Sequence, residues 1–202
     1  MLAKHTLIRS ATALLFAVAA SPSYATPGYA QLGKGAGDLV DNCGNNPNAS
    51  PDQIVYFCTV AAKSTAWHGA FWPYLVRAEA YRRLGEDDLA LADLDTAIKL
   101  SPAHNPLLPI AYHDRCDLRA RKSHDYAGAL SDCNQSLEIR PNDASTLKTR
   151  AAVEYELADY PAVAADCTAV LAAQPNDAFA ANLLAQAKEK MAPPAVAAQS
   201  AK

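Results

Sequence analysis

The sequence contains little glycine and no long run of one charge. Only 8 of its 202 residues are glycine, and none belongs to a glycine-rich loop of the kind that cradles phosphates. The net charge is −3, with acidic and basic residues interspersed, which argues against a nucleic-acid-binding or polybasic membrane surface. The serine elbow of hydrolases and the His-Glu-x-x-His motif are also missing. Prolines outnumber glycines, at 13 to 8, which favours many short helices that end at prolines.

Residues 1–25 have the order of a secretory signal peptide. Lys4 and Arg9 precede the apolar run ATALLFAVAA, and SPSYA follows with the small residues Ser23 and Ala25 before a cleavage point. The run is short for ~30 Å of hydrocarbon, which favours a cleaved signal peptide over a retained anchor. No twin arginine or cleavage-site cysteine is present, so neither twin-arginine export nor a lipid anchor is indicated. We expect an exported protein, periplasmic or extracellular, with no stable membrane span after cleavage and with conditions that preserve disulfides.

Three segments repeat one pattern of a helical stretch, a polar turn, a second helical stretch and a proline. They cover residues 71–102, 110–141 and 144–175. In each second helix, three positions spaced i, i+4 and i+7 fall on one helical face. These positions hold Ala90, Leu94 and Ala97, then Ala129, Cys133 and Ser136, then Val163, Cys167 and Val170. Small residues at the ends of this face allow close helix packing, so the pattern predicts stacked pairs of antiparallel helices.

The pattern resembles the tetratricopeptide repeat, a helix–turn–helix unit of ~34 residues. The first repeat keeps the small, aromatic, glycine and proline positions of that family: Ala78, Tyr81, Gly85, Ala90 and Pro102. The other first helices depart from it, with Asp117 at the small position and Ala120 and Glu154 at the aromatic one. The resemblance implies an all-α, right-handed superhelical stack of about three and a half repeats.

Shorter segments flank the three repeats. Residues 26–50 form a Gly/Asn-rich loop, and residues 51–64 show the second-helix face alone, in Ile54, Cys58 and Ala61. We interpret 51–64 as a half repeat that caps the N-terminal end of a helical domain spanning 51–191. Residues 177–191 form one amphipathic helix that shields the last repeat, and residues 192–202 form a disordered tail.

The five cysteines follow the signal segment, and an odd number leaves one of them unpaired or paired between molecules. Cys133 and Cys167 hold the same place in successive repeats, too far apart for a disulfide because a helix intervenes. Cys116 and Cys133 lie on the two helices of one repeat, and some exported bacterial tetratricopeptide proteins carry a similar Arg-Cys and Asp-Cys pair. We expect disulfides Cys116–Cys133 and Cys43–Cys58. Cys167 then stays a buried free thiol.

The resemblance also implies a binding groove. In this family the concave surface is lined by the second, fifth, ninth and twelfth to thirteenth residues of each first helix, which implies protein or peptide binding without catalysis, cofactor or metal. The candidate groove residues are Trp72, Leu75, Glu79, Arg82, Arg83, Asp114, Leu118, Arg121, Lys122, Lys148 and Tyr155, and the same positions also include Ala111, Ser145, Ala152 and Glu156. The family's Lys and Asn carboxylate clamp is absent, since Leu75 and Glu79 occupy its positions.

The groove candidates include a basic edge of Arg82, Arg83, Arg121, Lys122 and Lys148. Such an edge favours an acidic segment or a C-terminal carboxylate as ligand. Cations in the last turn of a helix also interact with the helix dipole, and this explains Arg82, Arg83, Arg121 and Lys122 equally well.

Two other residue groups deserve a hypothesis. The aromatic side chains of AWHGAFWPY, which are Trp67, Phe71, Trp72 and Tyr74, could form a binding lip, but core packing between the half repeat and the first repeat is favoured. His113, Cys116 and His124 form the basis of an alternative function, a small exported thiol-redox or metal-dependent factor. That alternative is disfavoured because no second close pair completes a zinc-ligand spacing.

Overall fold

The computed structural model describes residues 41–67 and 69–192. The predicted signal peptide, residues 26–40 of the predicted loop and residues 193–202 of the predicted tail lie outside the described residues. Within the described part there are eight α-helices. They are α1 (Pro51–Lys63), α2 (Trp72–Leu84), α3 (Asp87–Leu100), α4 (Leu108–Leu118), α5 (Tyr126–Ile139), α6 (Ala144–Glu156), α7 (Tyr160–Ala173) and α8 (Ala178–Met191). A 3₁₀ turn covers Thr65–Trp67, and π-helical turns cover Asp41–Asn45 and Arg119–Ser123.

Side-chain caps fix where most of these helices begin. Helices α5 to α8 each follow an aspartate whose carboxylate accepts a hydrogen bond from a backbone N–H three residues later: Asp125, Asp143, Asp159 and Asp177. Ser50 and Gln53 form a reciprocal capping box at α1. Prolines in the first turn of α4 and other helices cost nothing, because an N–H there has no partner within the helix.

The helices pack in sequential pairs. Helix α2 packs on α3, α4 on α5 and α6 on α7, with α1 against α2 and α8 against α7. The predicted second-helix faces point inward: Leu94, Ala129, Cys133 and Val163 are fully buried. The fold class, an all-α stack of antiparallel helix pairs with a capping helix, is therefore confirmed over the described residues. No helix in this part of the chain combines the length and apolarity needed to cross a membrane.

One arginine in each full repeat connects three helices. It donates two hydrogen bonds of 2.6–2.9 Å to a buried aspartate on its own second helix. Its Nη1 donates a third, of 2.6–2.8 Å, to a side chain on the second helix of the preceding unit. These connections, which we call arginine clamps, are Arg77 with Asp93 and Thr59, Arg115 with Asp132 and Asp95, and Arg150 with Asp166 and Asn134. The clamps join helices within a repeat and between repeats.

The arginine clamps show that the second repeat has one extra residue. Arg and Asp are 16 residues apart in the first and third clamps but 17 apart in the second. The π-helical turn Arg119–Ser123 absorbs the difference, because a π turn holds more residues than an α turn. Like Gly85 and Ala158 at the ends of α2 and α6, His124 closes this turn in the left-handed conformation, with φ 50°.

The extra residue shifts the register of α4 and corrects the sequence analysis. The residue directly after the clamp arginine is Ala78 in the first repeat, Cys116 in the second and Ala151 in the third, and all three are buried. Cys116 therefore occupies the small position of the second repeat. Asp117, assigned to that position from the sequence, lies one residue further along. Arg119, not Ala120, occupies the position held by Tyr81 in the first repeat. The earlier assignments are wrong because they assumed an uninterrupted α-helix.

Two disulfides lie at the same place in two units of the stack. Cys116 of α4 bonds to Cys133 of α5, with Cα atoms 5.5 Å apart. Cys43, in the turn Asp41–Asn45, bonds to Cys58 of α1 across a Cα separation of 4.8 Å. The short N-terminal turn thus takes the place of a first helix for α1. Cys167 is a buried free thiol.

Candidate functional site

A cavity of about 670 Å³ opens between α4, α6 and the start of α8. Its wall on α4 and the following π turn includes His113, Asp117, Ala120, Arg121 and His124, and Tyr126 of α5 adjoins them. The opposite wall comes from α6 and α8: Ser145, Lys148, Thr149, Ala152, Val153, Glu156 and Phe179. We call this cavity the α4–α6 pocket. It lies between the first helices of successive repeats.

The corrected register places equivalent residues on the two walls. His113 and Lys148 hold one position of their repeats, Asp117 and Ala152 the next helical turn, and Arg121 and Glu156 the end of the helix. All six residues line the α4–α6 pocket. The pocket is therefore built by a repeated surface of the fold, with side chains that differ from repeat to repeat.

The predicted groove residues divide into three groups. Five of them line the pocket: Arg121, Ser145, Lys148, Ala152 and Glu156. Leu75, Ala111 and Leu118 are buried in the core, Leu118 completely, so their assignment to the groove was wrong. The other candidates lie outside the pocket lining: Trp72, Glu79, Arg82, Arg83, Asp114, Lys122 and Tyr155. For Leu118 the cause is the register shift in α4.

Aromatic side chains among the candidates make packing contacts. Trp72 packs against the cluster around the Cys43–Cys58 disulfide, and Phe71 and Tyr74 pack against the main core of the first repeat. Tyr155 stacks edge-on against Tyr160, with ring centroids 5.5 Å apart. The side chain of Trp67 lies outside the described residues.

Carboxylates engage three cations of the predicted basic edge. Arg82 bonds to Glu79 at 2.8 Å and to Asp117 at 3.1 Å. Arg121 bonds to the same Asp117 at 2.7 Å. Lys148 donates to the Asp177 carboxylate at 2.8 Å, a bond between α6 and the cap of α8. These cations therefore do not form the free positive surface that the sequence suggested.

Ionisation is perturbed at two acids associated with this region. Burial raises the pKa of Asp114 to about 6, and the carboxylates of Glu79 and Asp117 act in the same direction, while His113 and Arg82 oppose them. The hydrogen bond from Lys148 lowers the pKa of Asp177, and backbone N–H donors at the start of α8 add to that effect. Asp177 is thus held as a carboxylate that keeps Lys148 in place.

The three residues of the redox or metal alternative make separate contacts in the structure. Cys116 is fully buried and bonded to Cys133. His113 lies with its Nδ1 3.4 Å from Thr146 Oγ1, and His124 Nδ1 lies 3.0 Å from the Tyr126 hydroxyl. Across residues 41–67 and 69–192, no three His, Cys, Asp or Glu side chains are arranged to hold a metal ion. The two histidines instead contribute to the α4–α6 pocket.

Solved structures show what the fold is similar to. MamA aligns over 77% of this chain and 82% of its own, with a TM-score of 0.67 at 12% identity. The first TPR of Spaghetti (RPAP3), bound to the HSP90 peptide SRMEEVD, aligns over 61% and 94%, with a TM-score of 0.56 at 22% identity. The Sgt2 TPR domain from Aspergillus fumigatus aligns over 67% and 95%, with a TM-score of 0.52 at 18% identity. The chain has the tetratricopeptide-repeat fold. No protein-family model matches the sequence, and no curated protein matches it significantly.

The tetratricopeptide fold explains which pocket residues the sequence analysis missed. Phe179 follows the N-cap of α8 by two residues, as Ser145 does at α6. Phe179 would have been identified if the groove positions of the first helices had also been applied to the capping helix α8. His113 and Asp117 were missed because of the one-residue shift in α4. The unequal Arg–Asp spacing was the available signal for that shift.

Proposed function

We propose that this protein is a non-enzymatic scaffold that binds a peptide segment of a partner protein in the α4–α6 pocket. The pocket has the volume of a ligand site, since such sites typically enclose ~300–1,000 Å³. It combines apolar surface from Ala152 and Phe179 with polar groups at its walls. The observation that carries the proposal is that equivalent positions of successive first helices build this cavity.

A similar fold supports the proposal. The structure of the first TPR of Spaghetti (RPAP3) contains a bound HSP90 peptide, SRMEEVD. The Lys and Asn of the family's carboxylate clamp are replaced by Leu75 and Glu79 in this chain, and Leu75 is buried. We therefore place binding in the second and third repeats and expect a ligand different from that peptide.

We further propose that the scaffold acts outside the cytoplasm, in the periplasm or the extracellular space. The signal-like order of residues 1–25 favours export. Two buried disulfides favour an oxidising compartment, where such bonds persist.

Filling the pocket tests the binding role. Ala152→Trp places a large ring in the middle of the lining, and Ala165→Trp places the same ring on the exposed side of α7. In crosslinking of the exported full chain in its native compartment, the Ala165→Trp variant should retain the partners of the wild type, and the Ala152→Trp variant should lose them. Equal crosslinking by both variants would place the binding surface elsewhere.

A further inference from the structure

Some charged side chains that line the α4–α6 pocket have an oppositely charged partner, and others do not. Both lining cations already have carboxylate partners: Arg121 bonds to Asp117 and Lys148 to Asp177. Glu156 is exposed and lines the pocket, and its side chain makes no ion pair or hydrogen bond with other described residues. The unpaired charge of the pocket is therefore negative.

This difference in pairing determines whether a negative or a positive ligand group binds the pocket at the lower cost in free energy. A ligand carboxylate must compete with Asp117, which two arginines hold, or with Asp177, which also caps α8. A ligand cation can bind Glu156 without breaking any bond of the protein. The net charge of −3 adds a weak attraction for cationic partners at long range.

Apolar surface lies beside this acidic group. Phe179 is 48% exposed although it is a large aromatic residue, and it faces the same cavity as Ala152 and Ala120. These side chains surround space wide enough for an aromatic or long aliphatic side chain. Glu156 lies one helical turn after Ala152 on α6, so one short segment can contact both the apolar lining and the carboxylate.

We propose that the pocket binds a peptide segment in which a bulky apolar residue adjoins a lysine or arginine. The apolar side chain contacts Phe179 and Ala152, and the basic side chain pairs with Glu156. This inference rests on the proposed function and specifies its ligand. It reverses the acidic ligand that the basic edge suggested from sequence alone.

Four synthetic peptides test the inference. They share one Gly/Ser frame and differ at two adjacent positions, which carry Trp-Arg, Trp-Glu, Ala-Arg or Ala-Glu. Each is titrated into the isotope-labelled full chain with its disulfides formed, and amide chemical shifts report both the affinity and the residues contacted. Glu156→Lys is compared with Glu138→Lys, an exposed acid of α5 outside the pocket lining.

The Trp-Arg peptide should shift amides of α6 and the first turn of α8 and bind about fivefold more tightly than Trp-Glu, a difference typical of one exposed charge pair. Glu156→Lys should reverse this preference, and Glu138→Lys should leave it unchanged. Replacing Trp by Ala in the peptide should abolish binding. Pocket shifts with equal affinity for Trp-Arg and Trp-Glu, or a preference for Trp-Glu, would overturn this inference and leave the proposed function intact. Absence of pocket shifts with every peptide would overturn both.

Discussion

Ala151 of α6 and Cys167 of α7 lie in one buried cluster, at the two positions that Cys116 and Cys133 occupy one repeat earlier. The second-helix position is cysteine in α1, α5 and α7, and in the first two of these a disulfide partner lies opposite. Cys167 is a free thiol because its opposite residue is alanine.

Ala151→Cys should create a third disulfide with Cys167. The bridge would close a loop similar to that of Cys116–Cys133 and stabilise the fold by about 3 kcal/mol if strain is small. Thiol titration in denaturant without reductant should fall from one thiol per chain to none, and the melting temperature should rise only under oxidising conditions. Ala151→Ser is the matched control. Two thiols per chain in the Ala151→Cys variant would contradict the equivalence of the sites.

Cys167 should be inert in the folded protein. Burial raises the pKa of its thiol to about 11, and the neighbouring carboxylates Asp166 and Glu154 add to the effect. Since the thiolate is the reactive form, iodoacetamide at pH 8 should label no cysteine of the native chain and one cysteine of the unfolded, unreduced chain. Fast labelling of Cys167 in the native protein would show that its thiol is accessible and reactive, whereas labelling of Cys116 would support the thiol-redox alternative.

Breaking an arginine clamp on one side should be costly. Asp93→Asn leaves the Arg77 guanidinium without its carboxylate partner, although the Arg77 side chain is only 15% exposed. The free energy of unfolding should therefore fall by about 3 kcal/mol. The double variant Arg77→Met with Asp93→Leu removes both charges and should be more stable than Asp93→Asn. Urea unfolding measures both free energies. A double variant less stable than the single one would show that the pair itself, not the uncompensated charge, dominates.

Glu154 should make stability depend on pH. It is 7% exposed, its Oε2 is buried without a hydrogen-bond partner, and burial followed by repulsion from Asp166 raises its pKa to about 7 against the attraction of Arg150. The pKa of Glu154 in the folded protein is above the unfolded value of 4.5. Its contribution to stability is therefore fully present below pH 4.5 and is lost as pH rises through 7. Glu154→Gln should therefore be more stable than wild type at pH 8 by about 2 kcal/mol.

The same variant should match the wild type more closely at pH 5, where Glu154 is mostly protonated. Urea unfolding at both pH values provides the comparison. Parallel pH profiles for the two proteins would show that Glu154 ionises normally.

The sequence was sufficient for the second helices but not for the first ones. Ala129, Cys133 and Val163 recur on one face at helical spacing, and burial of that face follows directly from apolar periodicity. In α4 the register depends on the π turn at Arg119–Ser123, which apolar spacing does not reveal. Asp117 and Leu118 were therefore displaced by one position, and the groove prediction for that repeat was displaced with them.

Part of the charge pairing in the groove was hidden from sequence reasoning. The partner of Arg121 is Asp117, four residues before it, and the i, i+4 spacing of this pair was a signal available in the sequence. Lys148 appears as a free cation when only its own helix is considered, because its partner, Asp177, is 29 residues after it. Lys148 and Asp177 become neighbours only because α8 folds back on α6. Such pairing depends on tertiary contacts, so composition and periodicity cannot predict it.

The arginine clamps affect how the protein unfolds. Arg115 and Arg150 each hold an acceptor in the preceding repeat, Asp95 and Asn134, so fraying of one unit leaves a polar side chain of its neighbour without that hydrogen bond. Linear arrays unfold repeat by repeat only when coupling between adjacent units is weak. Here the coupling is polar as well as apolar, and the stack should melt in a single cooperative transition rather than unravel from either end.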